Sequence, residues 1–291
     1  MSDSPAVLLL DNGSKRPEAT LHLRRLAAEL GTRTGVTVQP VSLAHADQVD
    51  PAQLGGTPAQ TLLSVCRDGW RRGVRRYLVL PLFVGPSRAL SREVPAQLAR
   101  LHAEGLAVDL QLLASLAQPD DDAQLATLLA EQLQPALLAT TRQPTVILVD
   151  HGSPAPEVSA VRDRLACALQ AELAGRIRAL RVAAMERRAG SAYDFAGPLL
   201  ADVLDTLSAD PQAREAPVLL SLLFLSPGRH AGPDGDVAQI ARASRIAPSI
   251  HITRPLGEHS ALPALLEQRL RAGLAQWPDQ QPSVPAPRPP A

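Results

Sequence analysis

The segment TVILVDHGS, Thr145 to Ser153, decides the fold because it occurs twice. Its first copy is AVLLLDNGS, Ala6 to Ser14, 139 positions earlier. Each copy is a short, unbroken apolar run that stops at a polar turn containing glycine. That is how a strand buried on both faces of a parallel sheet reads. Working outward, YLVLPLFVGPSRAL (Tyr77 to Leu90) returns as VLLSLLFLSPGRHA (Val218 to Ala231), at an offset of 141. Two matches at nearly one offset define an internal duplication. The chain is therefore divided into similar halves, 1–140 and 141–275. The Pro-rich remainder, 276–291, is expected to be disordered.

Apolar runs alternate with amphipathic stretches in the same order in both halves. Strands are expected near 6–11, 36–43, 77–83 and 108–113, and near 145–150, 179–185, 217–224 and 249–254. Helices are expected near 17–31, 57–73, 92–104 and 122–138, and near 156–174, 195–208, 235–246 and 260–275. Alternating β and α units give an α/β fold: two similar three-layer α/β/α domains, each with a parallel sheet. Ligands of such sheets bind beyond the carboxyl ends of the strands.

Composition narrows the function classes. The 291 residues carry 29 basic and 29 acidic side chains, so net charge gives no reason to expect nucleic acid or a membrane surface as partner. With aromatics at 2% of residues, stacking platforms for single-stranded nucleic acid are not expected. Lys15 is the only lysine; every other basic residue is arginine, a side chain suited to bidentate carboxylate binding. Cys66 and Cys167 form no CxxC and read as free thiols in a reducing compartment. The start has no basic region ahead of its apolar run. The longest apolar stretch, around Val218 to Leu225, falls short of the ~20 residues a membrane span needs. A soluble, cytoplasmic protein is expected.

The strand ends of the second half carry the polar chemistry. His151 follows the strand 145–150. His230 follows the third strand, in FLSPGRH, where Pro227 and Gly228 mark a turn. Glu186 ends the second strand, in VAAMERR. Any one of these has an ordinary reading as a hydrogen-bonded or solvated residue. Together they form a set of two imidazoles and one carboxylate, which suits divalent first-row metals and leaves coordination positions open.

These residues, in this order, resemble the sirohydrochlorin chelatases, the class II tetrapyrrole chelatases that insert cobalt or iron. The family pattern is an HGS after the first strand and a PLFL–G–RH segment after the third. A segment like PLGEHSAL (Pro255 to Leu262) follows and leads into a final helix. The resemblance covers nearly the whole chain, in two copies. It implies His151, His230 and Glu186 as metal-binding and catalytic residues, with an imidazole also accepting pyrrole protons. The substrate, sirohydrochlorin, is ringed with carboxylates; Arg229, Arg187, Arg188 and Arg88 are candidates to pair with them, with Ser153 beside them. No cofactor is implied beyond the substrate metal, Co²⁺ or Fe²⁺. No GxxxxGK[ST] loop appears, so insertion without ATP is expected. The first half departs from the pattern: Asn12 stands where His151 stands in the second, and Ala89 stands opposite His230. Two fused halves would make a monomer sufficient.

The remaining histidines have plainer readings. His22 and His102 are expected on exposed helix faces, His45 at the edge of the inactive half and His251 within a strand. His259 is expected to cap or orient the last helix. Two other functions stay open at this point. One is a metal- or tetrapyrrole-binding protein without turnover. The other is a phosphate-ester hydrolase, although Asp150 rather than Arg precedes His151.

Overall fold

The computed structural model describes residues 4–277. The tail expected to be disordered lies, beyond Trp277, outside the described residues. The first half contains β1 (Ala6–Asp11), α1 (Pro17–Thr34), β2 (Val38–Ser42), α2 (Leu62–Arg71), β3 (Arg76–Pro81), α3 (Val94–Ala103), β4 (Asp109–Leu112) and α4 (Asp122–Leu138). The second contains β5 (Thr145–Asp150), α5 (Pro156–Glu172), β6 (Ala179–Ala184), α6 (Leu200–Ala209), the four-residue α7 (Pro211–Arg214), β7 (Val218–Leu222), α8 (Asp236–Ala243), β8 (Ile250–Pro255) and α9 (Leu262–Ala275). The strands form two wholly parallel four-stranded sheets, ordered β2-β1-β3-β4 and β6-β5-β7-β8.

The duplicated segments are the central strands. Leu8, Leu9 and Leu10 of β1 and Val146 to Val149 of β5 are completely buried, because each strand has a neighbour on both sides and helices on both faces. α1 and α5 open identically, with proline at the first helical position, where its missing N–H costs nothing. α1 stops at Gly35, whose left-handed backbone returns its N–H to the Gly31 carbonyl at 2.9 Å.

Two helices start five residues later than their apolar pattern suggests. α2 begins at Leu62 rather than 57 because Thr61 and Ser64 form a reciprocal cap, Ser64 N–H to Thr61 Oγ1 at 3.3 Å and Thr61 N–H to Ser64 Oγ at 3.0 Å. α6 begins at Leu200 rather than 195, since Gly197 (φ +75°) and Pro198 interrupt the chain and leave Ser191–Ala196 as a separate 3₁₀ turn. The third strand of the second half ends at Leu222, two residues early, and α8 covers only 236–243 of the expected 235–246.

The sheets face one another across a shared core. Leu23, Leu26 and Leu30 of α1, Leu125, Leu129 and Leu133 of α4, Leu165 and Leu169 of α5, and Leu265, Leu266 and Leu270 of α9 belong to one buried cluster. It also takes Leu9 and Leu78 from the first sheet and Val146, Leu148 and Leu219 from the second. Each outer sheet face has a cluster of its own. The last helices are exchanged. α4, from the first half, packs on α5, β7 and β8; α9, from the second, packs on α1 and β3. Polar links fasten the exchange: Gln132 donates to the Pro255 carbonyl at 3.0 Å, Arg33 Nε meets Glu267 Oε2 at 2.7 Å, and Arg269 pairs with Asp121. The histidine seam is part of the same device. His259 Nδ1 accepts the Ala261 N–H at the start of α9, and its Nε2 lies 3.1 Å from Glu131 of α4. It thus orients the last helix, as expected.

His22 corrects its expectation. It is 3% exposed, packed under the second half, because α1 turns this face to the seam rather than to solvent. Its Nδ1 accepts from Arg25 at 2.9 Å, and its Nε2 faces the Leu225 and Gly257 carbonyls without closing a hydrogen bond. Burial, with Arg25 beside it, lowers its pKa to about 4.

Candidate functional site

Strand order explains why two distant histidines meet. β5 and β7 are neighbours, and the chain leaves β5 towards β6 on the opposite side. Their carboxyl ends therefore flank the crevice where connections diverge, the usual ligand position in an open parallel sheet. His151 leaves β5 and His230 follows β7; their ring centroids are 4.6 Å apart, edge to face at 79°. Glu186, after β6, approaches from the other side, with Oε1 3.5 Å from His151 Nε2. Two donors bound to one first-row ion at about 2.1 Å in tetrahedral geometry stand ~3.4 Å apart. The His151–Glu186 spacing matches that separation. Among the described residues no three His, Cys, Asp or Glu side chains already form a group able to hold an ion. The set is gathered at one place but not closed around a point.

The backbone stitches the loops after β5 and β6 together. Glu186 N–H donates to the His151 carbonyl at 3.1 Å, and Met185 N–H to the Asp150 carbonyl at 2.8 Å. Gly152, at φ +88°, lies so close to this stitch that a Cβ would sit 1.9 Å from the Glu186 carbonyl oxygen. Only glycine fits there. On the third loop, Val237 N–H donates to the His230 carbonyl at 3.1 Å, tying the loop to the start of α8.

Both imidazoles are held in one tautomer. His151 Nδ1 donates to the Gly152 carbonyl at 3.0 Å, and His230 Nδ1 donates to Asp236 Oδ2 at 2.7 Å. The carbonyl and the carboxylate accept here, so each Nδ1 carries a proton and Nε2 is the ring nitrogen turned towards the crevice. Such outer partners fix the orientation of a metal-ligating ring. Asp236 was not found by sequence reasoning; its signal was an acidic residue six positions after His230, at the first turn of α8. Beneath His151, Asp150 is 6% exposed and pairs with Arg162, itself 1% exposed, at 3.2 Å. Arg162 also donates to the Ala196 carbonyl at 2.8 Å and to Asp163 at 2.8 Å. Burial raises the Asp150 carboxyl, and Arg162 opposes that rise.

His151 stands between two cavities. One, of about 540 Å³, is lined by Asn12 to Arg16, Ala19 and His45 from the first half, and by His151, Phe224 and Ser226 to Ala231 from the second. The other, of about 240 Å³, brings Ser153 and Gly152 against Phe83 to Ser87 of the first half. Both are therefore walled by both halves of one chain. Ser153 accepts the Ala155 N–H at 3.1 Å, as Ser14 accepts that of Arg16 at 3.1 Å.

The four arginines divide. Arg229 is at the larger cavity, its side chain 72% exposed and only loosely paired with Asp236 at 3.6 Å. Arg187 is turned back on its own loop, donating to the Gly197 carbonyl at 3.0 Å and facing Asp194 at 3.4 Å. Arg188 lies over the Tyr193 ring, 5.8 Å from its centroid. Arg88 is exposed and lines neither cavity beside His151. Sequence reading missed Lys15 and Arg16 as wall residues, although the lone lysine was visible. His45 lines the same wall in strained backbone. At φ +67° it is the one non-glycine with positive φ among the described residues, in a γ-turn closed by Ala46 N–H to the Ala44 carbonyl at 2.8 Å.

No helix among the described residues is long and apolar enough to cross a membrane. No curated protein matches the sequence. Among solved structures, the fold is similar to SirB from Bacillus subtilis with Fe³⁺, at 14% identity over 94% of this chain and 96% of that one, with a TM-score of 0.65. It is also similar to CbiX, titled the terminal enzyme for biosynthesis of siroheme in denitrifying bacteria. That match has 17% identity over 92% of this chain and 98% of the other, and a TM-score of 0.58. The family model described as CbiX matches twice, over residues 6–136 and 145–272, one match to each copy of the repeat, and on that ground the chain belongs to the CbiX family.

Proposed function

We propose that the protein inserts a divalent metal, Co²⁺ or Fe²⁺, into sirohydrochlorin without ATP, on the way to cobalamin or sirohaem. The observation that carries this reading is the convergence of His151, His230 and Glu186 at one crevice, with rings 4.6 Å apart and imidazole and carboxylate 3.5 Å apart. The metal here is a substrate, and the two Nε2 lone pairs with Glu186 hold it with positions open for the incoming pyrrole nitrogens. Neutral imidazole and carboxylate bind such an ion less tightly than a thiolate cage, which suits a site that must release it. As the ion leaves, the freed Nε2 lone pairs accept the pyrrole protons. Asp236 stabilises the imidazolium that then forms on His230.

Both cavity walls come from one chain, so a monomer suffices. Cys66 and Cys167 are free, which fits a reducing compartment, and we place the reaction in the cytoplasm. The test is direct: purified protein is mixed with sirohydrochlorin and Co²⁺ or Fe²⁺, and the pigment spectrum is followed. Insertion well above the spontaneous rate is expected. Tight pigment binding with insertion at the background rate would leave a binding protein in place of an enzyme.

A further inference from the structure

The first half has lost its metal ligands but still forms half of the larger cavity. Aligning the repeats shows what it has instead. Asn12-Gly13-Ser14-Lys15-Arg16 stands where the second half has His151-Gly152-Ser153-Pro154-Ala155. The serine turn is the same in both, so the backbone path is retained while the side chains change. Where one copy carries a ligand and two apolar residues, the other carries an amide and two cations. After the second strand the change runs the same way. Ala44, whose N–H donates to the Asn12 carbonyl, replaces Glu186, whose N–H donates to that of His151.

Position and charge agree with this exchange. The 540 Å³ cavity is lined by Lys15, Arg16, Arg229 and three histidines, and by no acidic residue; Asp236 lies behind His230 on its Nδ1 side, and Glu186 stands at Nε2 of His151 outside the lining. In a chain with equal numbers of acids and bases, the fully charged side chains on this cavity's walls are all cations. The side chains of Lys15 and Arg16 take part in no ion pair or hydrogen bond among the described residues, and both are exposed. They are also held close to the metal loop: a Cβ at Gly228, next to Arg229, would lie 3.8 Å from Arg16 Cβ and 3.8 Å from Ser14 Oγ.

We infer that Lys15 and Arg16, with Arg229 facing them, form the carboxylate-binding wall of the site, gripping the acidic rim of the macrocycle while the second half presents the metal. This rests on the proposed chelatase reading and deepens it. The two copies of one motif have divided the work, one taking the substrate's charge and the other its metal. Lys15 and Arg16 are positioning residues: they touch the rim rather than the reacting nitrogens.

The experiment is equilibrium binding of metal-free sirohydrochlorin, read by pigment fluorescence, to the full chain and to Lys15→Ala/Arg16→Ala. The double variant should bind about tenfold more weakly, and its KM for the pigment should rise by a similar factor while kcat stays within about twofold. Raising salt from about 0.05 M to about 0.5 M should weaken the wild type more than the variant. The charge-conserving Lys15→Arg/Arg16→Lys should restore most of the affinity, and thermal melts report whether each variant folds. Equal pigment affinity in wild type and the alanine variant would overturn this assignment alone. A wild type that binds no pigment would remove the chelatase reading and this inference together.

Discussion

The ends of β1 and β5 are the same turn built twice, and they have diverged in opposite directions. Both have a buried aspartate, a glycine forced to positive φ against the neighbouring loop, and a serine that caps the turn. At β5 the aspartate, Asp150, rests on the buried guanidinium of Arg162 and the turn presents His151. At β1 the position matching Arg162 is Leu23. Asp11 has no such counter-charge: the Ser42 hydroxyl donates to it at 2.5 Å, with backbone N–H groups beside it, and burial raises its pKa to about 6. A fold can therefore keep a loop's backbone intact after its chemistry has gone, because the close approach of Gly13 to the Ala44 carbonyl and of Gly152 to the Glu186 carbonyl serves packing in both halves. What distinguishes the two strand ends is the set of groups around that turn.

Removing the ligands should break the comparison most severely. His151→Ala or His230→Ala should lower metal insertion by about 10²–10⁴-fold with an unchanged melting temperature, since neither ring belongs to the core. Asn12→Ala should leave insertion within about twofold. Near-normal turnover in both histidine variants would undo the assigned roles. Next in size is Arg162→Leu, which copies the first half into the second. It leaves Asp150 buried without its counter-charge and should cost about 3–5 kcal/mol in denaturant melts; adding Asp150→Asn should recover part of that loss.

The converse change concerns Asp11. Its folded pKa is raised, so the native state prefers the protonated form. Its contribution is favourable near pH 4 and is lost as pH rises to about 6, a difference of about 3 kcal/mol. Asp11→Asn should therefore stabilise the protein at pH 7 and leave it nearly unchanged near pH 4. His22 works against this trend over the same range. Its folded pKa is lowered, so its contribution is present above about pH 6.5 and is lost as pH falls towards 4. The wild type should show a flat pH–stability profile here, and Asp11→Asn should make it acid-sensitive. A steep wild-type profile would contradict the opposing signs. The smallest effect is expected at His45, where His45→Gly removes positive-φ strain and should stabilise by about 1 kcal/mol, read as a rise in Tm.

Much of this was legible in the sequence, for physical reasons. Strands buried on both faces are mostly apolar, with Ser221 within β7 an exception, so β1, β3, β5 and β7 stand out as apolar runs. The residues ending them had to share one edge of a parallel sheet, so His151 and His230 could be paired before their distance was known. Other features were hidden. The apolar stripes of α4 and α9 announce that these helices bury a face, but not which sheet receives it. The same gap concealed the burial of His22, which looks like a surface residue until the second half covers it. Arg187 and Arg188 follow Glu186 directly, but proximity in the chain does not fix a side chain's direction; in the structure their own loop offers them Gly197, Asp194 and Tyr193. Lys15 and Arg16 lay in the half that had lost its histidines, where attention to metal chemistry alone would pass over them.

The traded helices α4 and α9 bear on how such a protein can evolve. Severing the chain near residue 140 would release two pieces, each with one sheet face stripped of one of its two helices and one helix parted from the sheet it covers. Because each sheet is roofed by its sibling's last helix, the two repeats are bound into one cooperative body, and the strand-end side chains are where one repeat can differ from the other without unroofing either.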